Sequence, residues 1–194
     1  MEKCDLQNLY EKPSRPWIYF MISFSFLVSA VSIFIMQPID VYLSEISPYG
    51  ILDFEFMVNE EQANNIMVAW GLEGISKAIY GTNVDIWFLF AYSLFVSHLN
   101  LVIIRWKVSK EQENMKLVYP LVIGVLFPFI AASFDLIENL NLLVVLNNPT
   151  QIPSNVPLFA TIFATLKFLL LGITILFGIF LLIKCLILAL GNKK

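Results

Sequence analysis

The chain has 194 residues, of which 58% are hydrophobic and 14% charged, and its mean hydropathy is +0.76. A soluble domain is about 45–50% apolar, so this composition points to a membrane. The net charge of −3, with no basic arm and no interleaving of basic and aromatic residues, argues against a nucleic-acid partner.

Four apolar segments are long enough to span, since about 20 apolar residues cross a bilayer core. The first covers residues 17–37 and carries no charge. Its apolar run exceeds the about 7–15 residues of a signal-peptide core, and no A-x-A-like site follows. It reads as an uncleaved first helix.

Residues 38–84 form a long acidic connection. One lysine, Lys77, stands there against Asp40, Glu45, Asp53, Glu55, Glu60, Glu61 and Glu73. Within it, NEEQANNIMVAWG reads as a helix start: Asn59 can cap, and Glu60 and Glu61 favour a helix N-terminus. One or two short interfacial helices are expected over the outer face, either as a solvated cap or as a lid on a site.

The second segment covers residues 85–106, the third 117–146 and the fourth 157–190. The last two are long enough to tilt or to extend beyond the bilayer core. Pro128 removes a backbone donor opposite Gly124, so the third segment is expected to kink there. Trp17, Trp87 and Trp106 fit interfacial aromatic belts, and Lys184 reads as a snorkelling lysine.

Basic residues set the orientation. Lys3, Lys12 and Arg15 precede the first segment, Arg105, Lys107, Lys110 and Lys116 flank the second connection, and Lys184, Lys193 and Lys194 end the chain. The connection NNPTQIPSNV is uncharged. Lysine and arginine mark the cytoplasmic side, so both termini are expected there, in a membrane of the bacterial cytoplasmic type. Cys4 and Cys185 would then face the reducing side, and they show no CxxC or Cys/His spacing. Neither a disulfide nor a zinc site is expected. The single histidine, His98, cannot build a metal cage, and no metal site is expected.

Polar residues inside the spans follow helical phase. Asp135, Glu138 and Asn139 share one face of the third segment, continued by Gly124, Pro128 and Ala131. Lys167 shares a face with Ala160, Ala164, Leu171, Thr174 and Gly178 on the fourth. Asp85, Tyr92, Ser93, Ser97 and Asn100 fill one arc of the second, with His98 on the far side. Small and polar stripes belong between helices rather than against lipid. At 1.5 Å per residue Asp135 lies roughly 27 Å from the inner side and Lys167 roughly 15 Å from the outer side. Asp85, Tyr92, Asp135, Glu138, Asn139 and Lys167 are therefore expected to converge in the outer half of one bundle.

An unpaired charge inside a bilayer costs about 2.5–3.5 kcal/mol on insertion scales, so Lys167 is expected to pair with Asp135 and Glu138. The surplus carboxylate must be protonated, bind a cation or meet water. The cluster could also be a polar knot that only fixes helix register. Asp85 could instead cap a helix at the surface, and Tyr92 could be core packing. No GxSxG, HExxH or phosphate loop is present, and Ser133 lies away from the acidic face.

The motifs GISKAIYG, VDIWFLFAY, FDLIENL and ATLKF, with Asp85, Tyr92, Asp135, Glu138, Asn139 and Lys167, resemble those of small uncharacterised four-helix integral membrane proteins, common in prokaryotes, with D-x-x-E-N in the third helix. The resemblance covers roughly residues 50–185. It implies a four-helix membrane fold and implies no activity.

The expectation is one all-α polytopic membrane domain over residues 1–194, with four transmembrane helices and an extracytoplasmic cap at 38–84. Its leading function is a buried acidic site open to the extracytoplasmic side, binding a small amphipathic or cationic ligand or ions. Its cofactors are unknown. One alternative is a membrane enzyme acting on a lipid or isoprenoid through Asp/Glu acid–base chemistry. Another is a structural or assembly subunit of an oligomer or larger membrane complex.

Overall fold

The structure, a computed structural model, describes residues 15–111 and 118–191. Lys3, Cys4, Lys12, Lys116, Lys193 and Lys194 lie outside the described residues. The order is α1 (Arg15–Ile46), α2 (Ile51–Glu55), α3 (Glu60–Glu111), α4 (Val118–Leu121), a π-helical turn (Val122–Leu126), α5 (Phe127–Asn147) and α6 (Val156–Gly191). There is no strand among the described residues. Four stretches are long and apolar enough to cross a membrane: Pro16–Ile46, Glu60–Trp106, Tyr119–Asn147 and Val156–Ile187.

The first span runs past its expected end at residue 37. Pro38 sits inside α1 without ending it. The helix is held beyond that point by Leu43, fully buried against the start of the second span.

Asn59 caps α3 as the sequence suggests, its Oδ1 accepting from the Gln62 amide at 2.8 Å. The helix does not stop after a few turns. It breaks at Gly71, where φ is +63°, a left-handed conformation that glycine adopts without a Cβ penalty. It then continues through Asp85 to Glu111. The second span thus begins well before residue 85, because Gly74 and Gly81 interrupt an otherwise helix-compatible sequence without breaking it.

Helices α3, α5 and α6 pack on one another, whereas α1 packs along α3 and makes little contact with the other two. One apolar cluster, with Leu43, Phe54, Met67, Trp70, Leu142 and Leu146, closes the end capped by α2. Another, with Ile103, Ile104, Leu181 and Cys185, closes the opposite end. The polar side chains lie between them. The outward surfaces of α1 and α6 are strongly apolar, with Phe24, Phe34, Leu176 and Ile187 exposed. Water would not favour that surface, and hydrocarbon would.

The kink expected at Pro128 takes the form of the π-helical turn just before it. Three successive carbonyls there accept from side chains of neighbouring helices. Thr174 Oγ1 donates to Ile123 O at 3.2 Å, Asn100 Nδ2 to Gly124 O at 3.1 Å, and Ser97 Oγ to Val125 O at 2.9 Å. Backbone groups released from a regular helix are costly in an apolar setting unless re-paired. Gly178 provides the room: a Cβ there would collide with the Asn100 side chain. The small and polar stripes read from sequence therefore hold an irregular turn as well as a close helix approach.

Candidate functional site

Lys167 is the centre of the polar layer. Ala160, Ala164, Lys167, Thr174 and Gly178 are all buried along one face of α6. The Lys167 ammonium donates to Asp135 Oδ1 at 3.0 Å. It lies 2.7 Å from Glu138 Oε2 and 3.6 Å from Glu55 Oε2.

Asp135 has two further partners. Tyr92 Oη donates to its Oδ2 at 2.9 Å. Asn139 Nδ2 reaches its Oδ1 at 3.4 Å and donates to Asp85 Oδ2 at 2.6 Å. The Asn139 amide thus links a carboxylate of α5 to one of α3. All six side chains singled out from helical phase meet in one network. Asp85 does not cap a helix, since it lies well inside α3. Tyr92 packs against Phe88 and also uses its hydroxyl on Asp135. His98 stays outside the network, with Nδ1 on Leu94 O at 2.7 Å. Ser133 is exposed and bonded to Phe129 O.

Glu55 is the member that helical phase did not identify. It ends α2, a helix of five residues whose position depends on distant contacts. Asp40 Oδ1 of α1 accepts from the Ile51 amide at 3.1 Å, pinning the start of α2. Thr161 Oγ1 of α6 donates to Met57 O at 2.6 Å, pinning the chain just after it. Phe54 is fully buried beneath, against Trp70. The sequence signal was only the acidic excess of the connection, which does not single out Glu55.

Three carboxylates, Glu55, Asp135 and Glu138, lie within 3.6 Å of one ammonium, and a fourth, Asp85, joins the cluster through Asn139. Glu138 is 0% exposed, and its carboxylate meets the Lys167 ammonium through Oε2. Glu55, outside the spans, has its carboxyl pushed up by burial, an effect that the nearby Lys167 charge opposes. A buried cluster with this surplus of acid favours a proton or a cation. No group of three or more His, Cys, Asp or Glu side chains among the described residues could hold a metal ion.

A cavity of about 350 Å³ adjoins the cluster. Its polar lining consists of Gln37, Asp40, Glu55, Thr82, Asp85 and Asn139, of which Glu55, Asp85 and Asn139 belong to the cluster. Its apolar walls include Ile33, Met36 and Ile39 of α1, Leu52 of α2 and Leu142 of α5, with Ala78 and Gly81 of α3. The size is at the lower end of small-molecule sites. The arrangement can hold a positive charge against Glu55 and Asp85 and an apolar body along α1. Compared with protein-family models, with curated proteins and with solved structures, the chain finds no match.

Proposed function

We propose that the chain is a polytopic membrane protein with a binding site for a small amphipathic cation. Both termini lie on the cytoplasmic side, and the site is reached from the extracytoplasmic half of the bundle. The basic residues near the termini and the acidic connection after α1 support that orientation. On it, α2 and the arm of α3 before Gly71 lie at the outer membrane interface and cover the site.

The observation that carries the reading is the cavity itself, apolar along most of its wall and acidic where it meets the Lys167 cluster. Lys167 organises Asp135 and Glu138, while Glu55 and Asp85 lie both in the cluster and on the cavity wall. A cation seated there offsets part of the surplus negative charge. The four-helix family resemblance is compatible with this architecture and adds no ligand to it.

The reading is tested by titrating the protein in lipid nanodiscs with n-octylammonium and, separately, octanoate. Octylammonium is expected to raise Tm in a saturable manner, as any ligand specific for the folded state does. Octanoate is expected to leave it unchanged. Asp85→Asn and Glu55→Gln should each weaken octylammonium binding at least tenfold while the unliganded proteins still melt cooperatively. Equal binding of both amphiphiles would overturn the proposal.

A further inference from the structure

Helix α1 forms one wall of the cavity yet packs mainly along α3, leaving little contact between it and α5. The cavity nevertheless has a wall on α5, through Asn139 and Leu142. It therefore lies in a gap between the first and third spans. At the rim of that gap, Ile33 is 50% exposed, Gln37 is exposed and Leu52 is 57% exposed. Ile33 belongs to the apolar, outward-facing surface of α1 that also carries Phe34.

On this basis, which rests on the cation-binding reading above, we infer that the cavity is open sideways to the outer leaflet and takes a membrane-resident long-chain primary amine. The amine head lies against Glu55 and Asp85, and the alkyl tail leaves between α1 and α5 past Ile33.

Three features select this occupant. The polar end offers carboxylate oxygens, which accept hydrogen bonds from an ammonium. A phosphate-bearing headgroup would meet Asp40, Glu55 and Asp85 as like charges. The rim is made of apolar and uncharged side chains, which suits a tail continuing into lipid and not a path lined for a soluble ion. Rising 1.5 Å per residue from Arg15, Ile33 stands roughly 27 Å along α1 and Asp40 roughly 38 Å. The acidic end thus sits nearer the outer interface than the apolar rim, as a head-up, tail-down amphiphile of the outer leaflet requires.

Gly81 offers a way to fill the cavity from a position that is not itself a member of the Lys167 network. A Cβ there meets only Ile39, at 3.5 and 3.6 Å, so a side chain can start without collision and extend into the space.

The test uses dodecylamine carrying a diazirine at its tail end, photolysed with the full-length protein in nanodiscs, and adducts mapped by peptide mass spectrometry. Saturable labelling of α1 at Ile33 and its rim neighbours is expected, reduced at least tenfold by Asp85→Asn and by Gly81→Phe. The two variants reach that loss by different routes, so a folding failure in one leaves the other informative. Excess octylammonium should compete the label away. Saturable, octylammonium-sensitive adducts at Tyr49 or Asn65 instead of α1 would place the tail on the outer face. That outcome would overturn the lateral opening and leave the cation site standing. Labelling that neither saturates nor responds to Asp85→Asn or Gly81→Phe would overturn both.

Discussion

The Lys167 ammonium lies 2.7 Å from Glu138 Oε2, and Glu138 has no exposed surface. This pair locks α6 to α5 at the level where Asp135 also binds the same ammonium. Its stabilising value is conditional. Buried ion pairs gain little over an apolar replacement, but removing one partner strands the other.

Replacing Lys167 with Met is therefore expected to cost about 3–5 kcal/mol, because it leaves Asp135 and Glu138 without their cation. The triple variant Lys167→Met, Asp135→Asn, Glu138→Gln should recover much of that loss. Reversible unfolding in mixed micelles measures both. A triple variant no more stable than Lys167→Met alone would show that the cost is packing and not charge.

Glu55 gives a pH signature. Burial raises its folded-state affinity for a proton above the ordinary value of 4.5. Above that value the unfolded chain releases the proton first, so the folded state binds more protons and stability falls as pH rises through the window. The wild-type Tm should decline from pH 4.5 upward more steeply than that of Glu55→Gln, with Asp135, Glu138 and Lys167 retained in both. Parallel profiles would mean that Glu55 does not titrate differently on folding.

The π-helical turn depends on its side-chain donors. Asn100→Ala removes the donor to Gly124 O and should destabilise by about 0.6–2 kcal/mol, the range of interhelical hydrogen bonds in membranes. Thr174→Val should cost a similar amount through Ile123 O. Hydrogen exchange on residues 122–126 should quicken in both variants. Unchanged exchange there would show that the turn is held by packing alone.

How much of this could be read from sequence follows from which interactions are local. The third and fourth spans were legible because their apolar lengths and polar stripes repeat with helical phase. Asp135, Glu138, Asn139 and Lys167 meet because phase and depth are fixed by chain geometry. The end of α1 was not legible, because Pro38 normally argues for a break and only the burial of Leu43 shows otherwise. The run of α3 through Gly74 and Gly81 was hidden for the same reason, since glycine lowers helix propensity without forbidding a helix. Glu55 was out of reach. Its place depends on Asp40 and Thr161, which lie far from it along the chain or on another helix, and a five-residue helix leaves no periodic trace.

The most direct measurement is a density map of the protein in nanodiscs equilibrated with 8-bromooctylammonium, located by the bromine. The account requires the amine end between Glu55 and Asp85 and the bromine on the α1 side of the cavity, between Ile33 and Gly81. Bromine density confined to the outer membrane surface, with the cavity free of it at saturating ligand, would contradict a cation-binding site.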